Sequence, residues 1–154
     1  GPSYRNLTVG GVADPRVRVV DTGKTATDGT RIWLQNKYAG LATPLPLATG
    51  DEAQLILAEA EGGQTAVGII NGLRTRAGLP LFSSSNPAAI QAQIIEERRR
   101  ELFLEGHHLG DIIRYNLALT PATGTPFAKG GTYGNTTCLP LPNVERLNNP
   151  AITG

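Results

Sequence analysis

The stretch Glu96 to Gly106, EERRRELFLEG, constrains the fold of this chain most, because it sets charge where an amphipathic helix is normally apolar. At about 100° per residue, Ile90, Ile94, Ile95 and Leu102 define one helix face, and Arg98, Glu101 and Glu105 fall in the middle of it. Glu96, Arg99 and Arg100 are expected to point away. Inward charges at i, i+3 and i+7 are costly unless they pair, since an ion taken out of water loses several kcal/mol. A chain that accepts this cost is expected to contain their partners.

The rest of the chain divides into three zones. Residues 1–49 are rich in Gly, Pro and Thr, with short alternating stretches at Val17 to Val20 and Arg31 to Leu34 that read as brief strands between loops. Residues 50–119 carry the 3.6-residue period of a helical body. Residues 120–154 return to Gly, Pro, Asn and Thr, and Leu139-Pro140-Leu141-Pro142 favours extended backbone in a loop-rich tail.

Four helices are expected in the body. The first, about Asp51 to Glu61, is capped near Thr49 or Asp51 and stops at Gly62-Gly63. The second runs from about Thr65 to Ala77 and ends at Gly78, with Pro80 barring continuation. Their short connection predicts an antiparallel hairpin. The third starts at Asn86 as N-cap with Pro87 at the first helical position and continues to Glu105. The fourth, about Leu109 to Leu119, turns Ile112 and Ile113 inward.

The hairpin repeats the pattern of inward charge. Ala66, Val67, Ile70, Leu73 and Ala77 share a face with Arg74, while Leu55 and Ala58 share theirs with Glu52 and Glu59. This predicts a partly buried network in which Glu52, Glu59, Glu101 and Glu105 are matched against Arg74 and Arg98. Arginine suits such a role because its planar fork engages two carboxylates at once.

Composition excludes several classes of partner. With 154 residues, 40% hydrophobic content and a net charge of +1, the chain supports one core and presents no nucleic-acid surface. No apolar run approaches the roughly 18 residues of a membrane span. Cys138 is the single cysteine, which excludes an internal disulfide and suggests a buried structural thiol. The absence of methionine and the Gly1-Pro2 start predict that an upstream part has been removed, by proteolysis or by design.

Three segments resemble a known family. DEAQLILAEAEGGQTAVGIINGLRTRAGLP (Asp51 to Pro80), IIEERRRELFLEGHHLGDIIRYN (Ile94 to Asn116) and LPLPNVERLNNPAI (Leu139 to Ile152) resemble, in order and spacing, the C-terminal part of SusD/RagB proteins. Asp14-Pro15-Arg16 matches upstream. The resemblance implies a mainly α fold of tetratricopeptide-like helix pairs with long, irregular, loop-rich N- and C-terminal segments. It also implies a cell-surface lipoprotein of the outer membrane that sits on a SusC-like TonB-dependent transporter and captures glycans or other nutrients. Family chains are several times longer, so this chain corresponds to their C-terminal portion, the lipid anchor is expected upstream, and Cys138 does not match it. The turn at Gly62-Gly63 is shorter than is usual in the family. Glycan contacts vary between members, and none is carried over. Glu59, Arg74, Arg98, Glu101 and Glu105 match as scaffold positions.

Catalysis is not the favoured reading, and no cofactor is expected. Glu105, His107, His108 and Asp111 cluster, but the chain has only these two histidines, lacks an HExxH arrangement, and has Gly106 and Gly110 loosening the helix there. No serine or cysteine sits in a nucleophile motif, and Gly10-Gly11 and Gly130-Gly131 precede no helix that would cradle phosphate. Sugar binding needs exposed rings, and Trp33 and Tyr133 are the loop candidates. Phe103 points opposite the core face of its expected helix, toward a missing domain or another subunit. Asn6-Leu7-Thr8 and Asn135-Thr136-Thr137 match glycosylation sequons, a pattern frequent by chance. The alternative to nutrient binding is a structural or protein-interaction module, self-assembling from identical subunits outside the cell.

Overall fold

The computed structural model describes residues 4–127, 130–138 and 141–149. Two small β-hairpins come first. Strands β1 (Thr8–Val9) and β2 (Val12–Ala13) pair antiparallel around Gly10 and Gly11, both with positive φ, as a two-residue hairpin turn of matching twist requires. A Cβ at Gly10 would come within 3.1 Å of the Pro80 ring, so the turn rests against the loop that follows the second helix. Strands β3 (Val19–Thr25) and β4 (Arg31–Gln35) form a second antiparallel pair, with an irregularity between Asp21 and Thr25.

Helix α1 (Gly50–Glu61) begins where the Thr49 hydroxyl accepts from the Glu52 N–H, with Asp51 and Glu52 at the positive end of the helix. Gly62, at φ 64°, ends α1 and directly precedes α2 (Gly63–Arg76). Ala58, close to this turn, packs with Ala66 and Ile70, whereas Leu55, one turn earlier, meets Leu73, so the two helices run antiparallel. Helix α3 (Pro87–Glu101) starts at the Asn86 cap, whose side chain accepts from Ala88 and Ala89, and lays Ile90 and Ile94 into the same core. The loop between α2 and α3 is clasped by Asn71, which donates to the Phe82 carbonyl and accepts from the Phe82 N–H. Helix α4 (His108–Arg114) and a short α5 (Asn143–Asn148) follow.

Several expectations are corrected. Residues 4–49 are hairpin and loop, so the mainly α character is that of the residues from Gly50 onward and not of the whole chain. α3 stops at Glu101, because Leu104 (φ 61°) and Gly106 (φ 85°) take left-handed backbone that a helix does not accommodate. With the helix gone, the helical wheel no longer orients Phe103: it is buried (5% exposed) against Tyr4, ring centroids 5.0 Å apart, in its own chain. α4 ends at Arg114, followed by Asn116 at φ 51°; Ile112 is buried but Ile113 is 58% exposed. Arg100 is buried rather than outward, because Asp14, the residue after β2, meets it. Cys138 is exposed and not a core thiol. The tail expected to be all loop contains α5. The Leu139-Pro140 half of the expected extended stretch lies outside the described residues, as do residues 150–152 of the third matching segment.

Candidate functional site

The residue after β2 begins the central feature. Asp14 holds Arg16 with both carboxylate oxygens, receiving Nε at 2.9 Å and Nη2 at 2.8 Å, and the Arg16 N–H closes the local turn onto Oδ1 at 3.1 Å. Arg16 Nη1 then reaches α3, donating to Glu97 Oε2 at 2.7 Å and to Glu101 Oε2 at 3.1 Å. The other Glu97 oxygen accepts from Arg74 Nε of α2 at 2.7 Å and from Gln93 at 2.9 Å. Arg74 Nη1 donates to the Pro80 carbonyl. Arg100 adds Nη1 to Asp14 Oδ2 and to the Thr8 carbonyl, both at 3.2 Å, and Nε to Glu96 at 2.6 Å. Glu97 is 0% exposed, so its charge is sustained only by these partners.

Electrostatics follow the geometry. Burial pushes the Asp14 carboxyl upward, but the hydrogen bonds and charge of Arg16, aided by Arg100, outweigh it and hold the group below the usual carboxylate range. Burial likewise pushes Glu96 up, and Arg99 and Arg100 together bring it below. Glu101 goes the other way, because burial exceeds what Arg16 returns, and Asp51 and Glu97 add repulsion. Burial alone lowers Arg16, yet Asp14 and Glu97 raise it overall, so it stays charged.

The residues expected to form the network are all inward or half-buried, but most pair with other groups. Arg74 meets Glu97. Arg98, 4% exposed, binds Asp111 of α4 through Nη2 at 3.0 Å and Nε at 3.3 Å. Glu101 meets Arg16. Glu105 accepts from Lys37 at 2.5 Å, and the same ammonium donates to the Phe103 carbonyl. Glu52 lies 3.4 Å from His107. Glu59 accepts from Arg114 and from the Tyr115 hydroxyl, each at 2.6 Å, and burial together with that bond pushes the Tyr115 hydroxyl up to about 12. The expected match of four glutamates to Arg74 and Arg98 is therefore replaced by a wider set of partners. Glu97 had a signal in the sequence, since Ile90, Ile94, Glu97 and Glu101 form one i, i+4, i+7, i+11 stripe. No local spacing paired Arg16, Lys37 or Asp111 with this network, because each arrives from a different part of the chain.

Two cavities flank this scaffold. A groove of about 570 Å³ is lined by Arg16, Arg18, Lys37, Asp51, Glu101 and Glu105 among others. A second pocket of about 370 Å³ lies between Tyr4, the end of α3 and the start of α4. Trp33 and Tyr133 line neither. Trp33 sits in β4 rather than a loop, with the Arg5 guanidinium 5.1 Å from its ring centroid, and Tyr133 stacks edge-on against Phe127 at 5.3 Å. His108 Nδ1 is 3.2 Å from the Tyr4 hydroxyl. Among the described residues no three His, Cys, Asp or Glu side chains are grouped to hold a metal ion.

No curated protein and no solved structure matches the chain. The SusD family pattern does match, over residues 52–147, which runs from within α1 to within α5 and includes the α2, α3 and α4 members of the ion-pair scaffold. With more than half of its length matched, the chain belongs to the SusD family.

Proposed function

We propose that this chain is the C-terminal portion of a glycan- or nutrient-binding component of an outer-membrane uptake system, acting without catalysis or cofactor. The family match over residues 52–147 carries this reading. In this reading the protein sits at the cell surface, held by a lipid anchor elsewhere in the protein, with a SusC-like TonB-dependent transporter as its partner. In this reading the helix pair α1–α2 is tetratricopeptide-like, and Glu52, Glu59, Arg74, Arg98, Glu101 and Glu105 hold the scaffold rather than touch ligand. The groove beside Arg16 offers donors (Arg18, Lys37) and acceptors (Asp51, Glu101) suited to hydroxyl-rich molecules. Trp33 and Tyr133 are the rings proposed to stack on sugar faces.

The test is affinity electrophoresis of the protein through gels containing single polysaccharides, alongside co-purification with the transporter. Retardation by at least one glycan, weakened by Trp33→Ala, together with co-purification, supports the reading. Unretarded migration in all gels with no transporter recovered refutes it. A second reading, an interaction module of identical subunits, draws on the exposed Leu41, Leu45 and Leu47 of the loop before α1. Concentration-dependent assembly without glycan, seen by sedimentation velocity, favours that one.

A further inference from the structure

The groove beside Arg16 has one cation left over. Of its ionised lining groups, Arg76 pairs with Asp51 and Lys37 with Glu105. Arg16 pairs with Glu101, and its further partners Asp14 and Glu97 are shared with Arg100 and Arg74. With Glu96 and Arg99 included, this network sets four arginines against four carboxylates and carries no net charge. Arg18 is outside the balance. Among the described residues it pairs with no carboxylate, and its one hydrogen bond, Nε to the Pro15 carbonyl, is long at 3.4 Å, so both terminal nitrogens are open to a ligand. Its backbone is held in place, because Val17 beside it is buried and the Arg18 carbonyl accepts from the Asn36 N–H at 2.7 Å, next to Lys37.

The rest of the lining suits a sugar. The exposed Arg76–Asp51 pair and the half-buried Lys37–Glu105 pair each set a donor beside an acceptor, and a hydroxyl, which both gives and accepts a hydrogen bond, can use the two together. Pro15, Leu73 and Ala77 supply apolar surface between them, and about 570 Å³ lies within the roughly 300–1,000 Å³ of small-molecule sites. We propose that this groove selects an anionic glycan, whose carboxylate or sulfate ester is received by the Arg18 guanidinium while neighbouring hydroxyls bridge the Arg76–Asp51 and Lys37–Glu105 pairs. The planar fork of arginine matches the paired oxygens of either anion, and a charge-assisted hydrogen bond is roughly twice as strong as a neutral one. This rests on the glycan-capture reading and adds to it the sign of the ligand's charge and the residue that reads it.

The test is titration calorimetry with two matched pairs of probes: trigalacturonate against its methyl ester, and a κ-carrageenan tetrasaccharide against its desulfated form. The first pair isolates a carboxylate and the second a sulfate. At least one anionic probe is expected to bind about three- to tenfold tighter than its uncharged counterpart, the range of an exposed ion pair with added hydrogen bonds. Arg18→Gln is expected to abolish that preference. Lys24→Gln, which removes the same charge from β3 at a residue that does not line the groove, is expected to keep it. Both side chains are exposed, so both variants are expected to melt within about 2 °C of the parent. No preference within either pair, a preference that survives Arg18→Gln, or one lost in Lys24→Gln each overturns the proposal. Retardation by a neutral polysaccharide in the gel assay would then leave glycan capture standing, whereas failure to bind any glycan overturns both.

Discussion

Two arginine–carboxylate clusters meet on α3 and its end, and they are built differently. Around Glu97, both carboxylate oxygens and the guanidinium groups of Arg16 and Arg74 are met from several elements at once: the segment after β2, α2 and α3 itself. Around Arg98, one carboxylate, Asp111, satisfies two nitrogens and leaves the third buried without a partner. A complete buried network fixes how the N-terminal segment docks on the helices, while an incomplete one carries the cost of an unmet buried donor. The same residue types in adjacent positions thus form a fully met network in one place and a partly met one in the other.

The sharpest way to break this contrast is Glu97→Leu, which leaves Arg16 and Arg74 buried without their shared carboxylate. Chemical denaturation is expected to show a loss of about 3–5 kcal/mol. Arg98→Met keeps most of the stem volume and removes only the two bonds to Asp111, whose side chain retains some contact with water. Its cost is expected to be about 1.5–3 kcal/mol by the same measurement, and a value equal to that of Glu97→Leu would erase the distinction.

Acid sharpens it next. Asp14 and Glu96 bind protons less readily in the folded chain than in the unfolded one, so the stability they add is complete above the unfolded carboxylate range, about pH 4, and is lost as pH falls through their folded values. Glu101, held high by burial, has the opposite sign: the folded state takes up its proton first, which offsets part of the loss. Thermal midpoints measured from pH 7 to pH 3 are expected to fall, and to fall less in Asp14→Asn than in the parent. The smallest effect belongs to Arg31, paired with Asp21 on the exposed β3–β4 hairpin. Arg31→Ala is expected to change stability by less than about 1 kcal/mol, and a larger loss would mean that this hairpin is held more tightly than its exposure implies.

The legible parts of the fold were those governed by neighbours in sequence. Thr49 and Asn86 cap helices because their side chains reach N–H groups two or three residues on, and Gly62 ends α1 because its backbone is left-handed. The inward faces of Leu55, Ala58, Ile70 and Ile94 follow from helical period alone. Phe103 was misplaced because a wheel extends α3 past the point where Leu104 turns left-handed, and nothing local demanded that turn; Ile113 lies within α4, on a face that stays exposed. Arg100 was misplaced for another reason, since its outward face is covered by Asp14 from eighty-six residues away.

By itself, then, the sequence determined the three-helix core, its caps and breaks, the family, and the fact that charge on α3 had to be buried with partners. Which partners those are was decided only in three dimensions. Coulomb attraction and hydrogen bonding between ions act across whatever distance in sequence the fold has closed, so Arg16, Lys37 and Asp111 became counter-ions through chain path and not through spacing. The single unmet donor on Arg98 has the same origin, because it is defined by which groups failed to arrive beside it.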